Sequence, residues 1–310
     1  MKKITLLLSS MLLALAGCSN NSSGKLKIAT TFAPLYDFTM RIVKNKVDVI
    51  CIAGNDDIHG FSNVSVENAA FTEEASLLVA YGHSLDTWSI NLNKDKYFEA
   101  TKDIKFMKDG NKEDPHAWVS LINAQVMLKN IYDKVIEIDS ANKDFYTDNY
   151  NEAKKEFSTL NESYKTKLAS VKSKKIVSSH DAFSYLAKDY NLDVKGIADS
   201  LDNEPTSSDV QDMIKYIKEN DINTIFVEEL SAGDYVDTVI NELKKDNYTV
   251  TAQTLSAYEG VDVNKWKDGD NYLKVMNDNL NTIYEVLKWS RKSTLKMFRF
   301  HTIRSMFWSK

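Results

Sequence analysis

Between residues 141 and 171 the chain runs about thirty positions without a proline or glycine, in a stretch rich in Lys, Glu, Asn, Tyr and Leu. Nothing in it breaks a helix. At 1.5 Å per residue the helix it predicts is a rod of roughly 45 Å, long enough to cross from one lobe to another. The flanking pattern fits that role. Before the rod, strand-like runs at 26–30, 47–53 and 77–81 alternate with helical segments at 32–44, 66–75, 86–92 and 122–138. After it, strands at 175–179, 194–198, 224–227 and 249–255 alternate with helices at 182–190, 208–220, 235–245 and 271–287. Such alternation predicts parallel sheets with crossover helices. The expected architecture is α/β, with two similar lobes joined by one long helix. At 310 residues the chain has room for two domains. The second lobe is not a detectable sequence repeat of the first.

The two ends differ from the body. Lys2 and Lys3 form a positive start, and residues 4–15 form an apolar run too short to span a bilayer. Leu15-Ala16-Gly17-Cys18 then matches a bacterial lipoprotein cleavage box, with Cys18 as the residue that takes the lipid. Residues 1–18 are read as the signal peptide and 19–25 as a polar tether. The expected location is extracytoplasmic, lipid-anchored to the outer face of the cell membrane. Cys51, the only other cysteine, lies in Val-Ile-Cys-Ile-Ala and reads as a small core hydrophobe with no internal disulfide partner. Residues 290–310 carry six basic side chains and no acidic one, so 289–310 is set apart as an atypical basic tail. The boundaries between are 26–140 for the first lobe, 141–173 for the linking helix and 174–288 for the second lobe. A net charge of −5, with no basic stripe outside the tail, argues against a nucleic-acid partner.

Of five histidines, three stand at junctions where strands hand over to loops or helices. His59 follows the strand 47–53 in an acidic loop, where Asp56 and Asp57 can orient the imidazole or attract a cation. In Asp114-Pro115-His116, the Asp is placed to cap a helix, with Pro at its first position and the imidazole at its start. His180 ends the strand 175–179, where ligands collect in α/β lobes. Glu259 follows the strand 249–255 in an equivalent position. Glu228 and Glu229 compete with it, and the pattern alone does not separate them. His83, after the strand ending at Tyr81, is the runner-up to His59. Three imidazoles and one carboxylate form a set suited to tetrahedral Zn²⁺. Ligands so far apart in sequence meet only in the folded protein.

Taken in order, Gly-Asn-Asp-Asp-Ile-His59, Asp114-Pro-His-Ala-Trp118, Ser179-His-Asp-Ala-Phe-Ser-Tyr-Leu186, Ile225-Phe-Val-Glu228 and Leu255-Ser-Ala-Tyr-Glu-Gly260 resemble the metal-binding lipoproteins of ABC transporters for zinc and manganese. The similarity covers nearly all of residues 26–288. It implies two α/β lobes with metal between them, an ABC permease as partner, a monomer anchored through Cys18, and no catalysis. Manganese members carry a carboxylate where this chain has His180, so the resemblance points to Zn²⁺, with Mn²⁺ or iron as the alternative. It implies His59, His116, His180 and Glu259 as the metal ligands, and places Glu228 outside the first ring of contacts. Two departures stand out. The loop after His59 reads Gly-Phe-Ser-Asn-Val, and no histidine-rich run separates His59 from His116. A zinc hydrolase is the rival from another class. It needs an open coordination position and a nearby base, and no His-Glu-x-x-His occurs.

Overall fold

The computed structural model describes residues 24–288, apart from 57, 60, 84, 110–111, 199–204 and 230–233. The signal peptide, Cys18, Asp57 and the basic tail lie outside the described residues. The first lobe runs β1 (Leu26–Thr30), α1 (Ala33–Val43), β2 (Val47–Cys51), α2 (Val66–Glu74), β3 (Leu77–Ala80) and β4 (Tyr97–Glu99). A small antiparallel pair follows, β5 (Lys108–Asp109) with β6 (Lys112–Glu113), and then α3 (Leu121–Ile138). The long helix is α4 (Lys143–Ala169). The second lobe runs β7 (Lys175–His180), α5 (Ser184–Asp189), β8 (Asp193–Ala198), α6 (Ser207–Glu219), β9 (Thr224–Glu228), α7 (Asp234–Lys245), β10 (Thr251–Leu255) and α8 (Tyr272–Leu287).

Both main sheets are parallel, in the orders β2-β1-β3-β4 and β10-β9-β7-β8. Each chain path reverses direction across its sheet, between β1 and β3 and between β7 and β9. A crevice opens at the carboxyl ends of strands where such reversals occur. The edge strand β4 and the β5–β6 pair were not expected. Elements of two or three residues are too short to show alternation.

Helix α4 is 27 residues, about 40 Å long, and four residues shorter than the expected 141–171 stretch. A short 3₁₀ turn at Ser140–Asn142 takes its first positions. Its buried side chains Tyr146, Tyr150, Ala153, Phe157, Leu160, Tyr164 and Leu168 recur every three or four positions and form one stripe. That stripe packs on α1, α3 and α8, so the helix is bolted to both lobes. One apolar core therefore continues from the first sheet through α4 into α5, α8 and the end of β10. A second core lies separately between the second sheet and helices α6 and α7, around Val177, Ile217, Ile225 and Val239. Cys51 is buried in the first lobe as a free thiol, and burial pushes its pKa up to about 12.

Candidate metal centre

Side chains from four junctions meet between the lobes. His59 follows β2, His116 precedes α3, His180 is the last residue of β7, and Glu259 lies just beyond β10. The three histidines each offer a ring nitrogen within 4.8 Å of the others. His59 Nε2 stands 3.1 Å from His116 Nε2. Glu259 Oε1 is 3.5 Å from His59 Nε2 and 3.7 Å from His116 Nε2. His116, His180 and Glu259 are buried, and His59 is half-buried at the edge.

Each ring is aimed by a neighbour. Because β7 pairs with β9, the ends of these strands lie side by side, and Glu228 Oε2 meets His180 Nδ1. A carboxylate there fixes the hydrogen on Nδ1 and leaves Nε2 with its lone pair. Among the described residues Nε2 has no hydrogen-bond partner. Burial raises the Glu228 carboxyl above its ordinary range, and the charge of Glu259 adds to the rise, against the opposing hydrogen bond from His180. His116 is held differently. Asp114 Oδ1 accepts both its backbone N–H, at 2.9 Å, and its Nδ1–H, at 2.8 Å. The expected Asp-Pro helix cap is thus corrected. Asp114 is engaged by the histidine, only a 3₁₀ turn at Ala117–Val119 follows, and α3 starts later with Ser120 as its cap. The Asp-Pro-His spacing was legible, but an Asp two residues before a His serves a helix cap or a ring equally well.

The Glu259 loop is fastened to the other lobe, where Trp118 Nε1 donates to the Ala257 carbonyl at 2.7 Å. This link has no sequence signal. Burial alone pushes the Glu259 carboxyl up, but contact with His59 and the positive potential of His116, His59 and His180 outweigh it and hold it below the usual carboxylate range. It is therefore ionised at neutral pH, yet among the described residues neither oxygen has a hydrogen-bond partner. A buried polar atom left in that state costs about 1–3 kcal/mol. Three such atoms in one cluster, two on Glu259 and one on His180, are what a cation between them would satisfy. Three nitrogens and one carboxylate oxygen suit a tetrahedral divalent metal.

The remaining candidates fall elsewhere. His83 is turned away from the centre, with Nδ1 3.2 Å from Glu113 and Nε2 3.4 Å from Glu99, and its ring lies on Phe106. Glu229 contacts Ser256 Oγ at 3.1 Å and lines a cavity of about 510 Å³ beside the Glu259 loop. Asp57 lies outside the described residues.

Two parallel-sheet lobes bolted to one helix, with a buried histidine-carboxylate cluster between them, define a metal-binding substrate-binding protein. Residues 28–286 match the family model described as zinc-uptake complex component A, periplasmic, ZnuA. The chain belongs to this family, the metal-binding substrate-binding proteins of ABC transporters, which are carriers and not enzymes. The high-affinity zinc uptake system protein ZnuA of Bacillus subtilis is 28% identical, over 89% of this chain and 94% of that protein. The manganese ABC transporter substrate-binding lipoprotein PsaA of Streptococcus anginosus is 29% identical, over 93% of this chain and 99% of its own length. Among solved structures, the Zn(II)-bound ZnuA-like domain of Streptococcus pneumoniae AdcA has a TM-score of 0.73 at 28% identity, covering 86% of this chain and all of that one. The laminin-binding protein Lmb of Streptococcus agalactiae, described as a bifunctional adhesin and metal transporter, has a TM-score of 0.76 at 30% identity, over 85% of this chain and all of its own.

Proposed function

We propose that the carried metal is zinc, bound one ion per chain by His59, His116, His180 and Glu259 and handed to an ABC permease. The observation that carries this reading is the convergence of three imidazole nitrogens within 4.8 Å, with a buried ionised carboxylate against two of them. A third imidazole in place of a second carboxylate favours zinc over manganese, because nitrogen ligands suit Zn²⁺ and oxygen-rich sets suit Mn²⁺. Four protein ligands close the site, as a carrier requires and a hydrolytic zinc does not.

In this reading residues 1–18 direct export, Cys18 takes the lipid, and 19–25 tether the protein to the outer face of the membrane. Residues 26–140 and 174–288 form the lobes of a monomer around the linking segment 141–173, which contains α4, and 289–310 is an appended tail. The relatives named as lipoproteins support the anchored, extracytoplasmic placement.

The test is competition between Zn²⁺ and Mn²⁺ on metal-stripped protein, with stoichiometry measured for His116→Ala and His180→Ala. One zinc per chain, retained against excess manganese and lost in both variants, is the expected result. Preferential manganese retention overturns the metal, and unchanged stoichiometry overturns the ligands. The likeness to Lmb favours laminin binding as a second activity. Saturable binding to immobilised laminin tests it, and its absence removes that reading.

A further inference from the structure

Asp37 lies on α1, in the lobe opposite β10, and its side chain is fully buried. One oxygen, Oδ1, accepts from Arg41 Nε one turn later on the same helix. The other, Oδ2, accepts from three donors that all follow β10 in the chain: the Tyr258 hydroxyl at 3.3 Å, Trp266 Nε1 at 2.8 Å and the Tyr272 backbone N–H at 2.8 Å. Arg41 also donates from Nη2 to Asn271 Oδ1 at 2.9 Å, the side chain that caps α8. A single carboxylate of the first lobe thus holds the beginning, middle and end of the segment 258–272. Glu259 is the residue next to the first of these holds.

Tyr258 has φ of 62°, in the left-handed region that favours glycine. A tyrosine keeps that conformation only where its surroundings impose it. Its ring stands edge-on to Tyr272 at 5.6 Å, and its hydroxyl ends on Asp37. The backbone turn that points Glu259 toward the imidazoles is therefore imposed from the opposite lobe.

We infer that Asp37 is a positioning residue for the metal centre, acting through Tyr258 to hold Glu259 in place; this rests on Glu259 being a ligand, as proposed above. Carboxylate ligation and the docking of segment 258–272 on α1 become one coupled event. A structural ion pair with no bearing on the metal would lower stability alike whether or not Glu259 can bind.

The experiment is calorimetric titration with Zn²⁺ of the metal-stripped full chain in detergent, for the wild type, Tyr258→Phe, Asp37→Asn, Asp37→Ala, Glu259→Gln, Asp37→Ala/Glu259→Gln and Tyr258→Phe/Glu259→Gln. The expected result is about a 10–100-fold loss of affinity in Asp37→Ala at unchanged stoichiometry, in the range seen when partners of metal ligands are removed. Smaller losses are expected in Tyr258→Phe and in Asp37→Asn, which keeps an acceptor. In the Glu259→Gln background both further losses should shrink to near nothing, the signature of coupling. Wild-type affinity in both Asp37→Ala and Tyr258→Phe overturns the inference, as does an equal loss in the Glu259→Gln background. If Glu259→Gln alone leaves affinity untouched, the ligand assignment fails instead. Should Asp37→Ala not fold, Tyr258→Phe, which removes only a hydroxyl, decides by the same comparison.

Discussion

His180 Nδ1 meets the Glu228 carboxylate, and the other ring nitrogen, Nε2, is buried with no hydrogen-bond partner among the described residues. The pairing follows from the sheet, since β7 and β9 are neighbours and both residues end their strands. Glu228 thereby sets the tautomer of the ring.

Replacing Glu228 with alanine leaves that tautomer unfixed and Nδ1 without its acceptor. Zinc affinity should fall by about 10–100-fold with one ion still bound per chain. Titration calorimetry measures both quantities, and an unaltered affinity would show that His180 needs no such partner.

Zinc affinity should fall as pH drops. The sign follows from proton competition, because each ligand must be deprotonated to bind. Glu259 does not contribute to that fall. Its carboxyl is held below its ordinary range, so the stability that comes from its ionised form is present above the ordinary carboxylate value and is lost only as pH falls through the lower folded value. Plotting log Kd against pH should show it rising as pH falls. A flat profile would remove the histidines from the ligand set.

Trp118 is fully buried and its Nε1 donates to the Ala257 carbonyl across the lobes. Trp118→Phe leaves that carbonyl unpaired and opens space beside Phe32 and Tyr81, whose rings stand edge-on to the indole at 5.0 and 5.3 Å. A loss of about 1–3 kcal/mol for the orphaned carbonyl, with more for the cavity, should lower the urea midpoint at constant slope. A wild-type midpoint would mean the loop is held by other contacts.

Cys51 should be silent to thiol reagents in the folded protein. Burial pushes its thiol up to about 12, so almost none is thiolate at pH 8. The raised value means the fold disfavours the ionised thiol, so this group costs stability only as pH climbs through the free-thiol range toward 12. In a Cys18→Ser chain, a chromogenic disulfide reagent should titrate no thiol in native buffer and one in denaturant. Rapid native labelling would show that the first lobe opens around β2.

The sequence alone determined the local pattern. Strand and helix alternation and the proline- and glycine-free stretch that became α4 depend on neighbours within a few positions. It also placed His116, His180, Glu228 and Glu259 at element ends, because loops follow apolar runs. Only the tertiary structure decided what each of these faces. Glu228 ends a strand and Glu259 lies just beyond one, and nothing in either stretch distinguishes their roles locally. Strand order sets Glu228 beside His180 Nδ1, while contacts from Asp37 and Trp118, some 220 and 140 residues away in sequence, turn the Glu259 loop toward His59 and His116. Asp114 shows the same limit at short range, since whether its oxygen caps a helix or a histidine depends on where the ring is drawn. Hydrogen bonds between distant residues cost chain entropy that the shared core must offset, so they exist only once the lobes and α4 have packed.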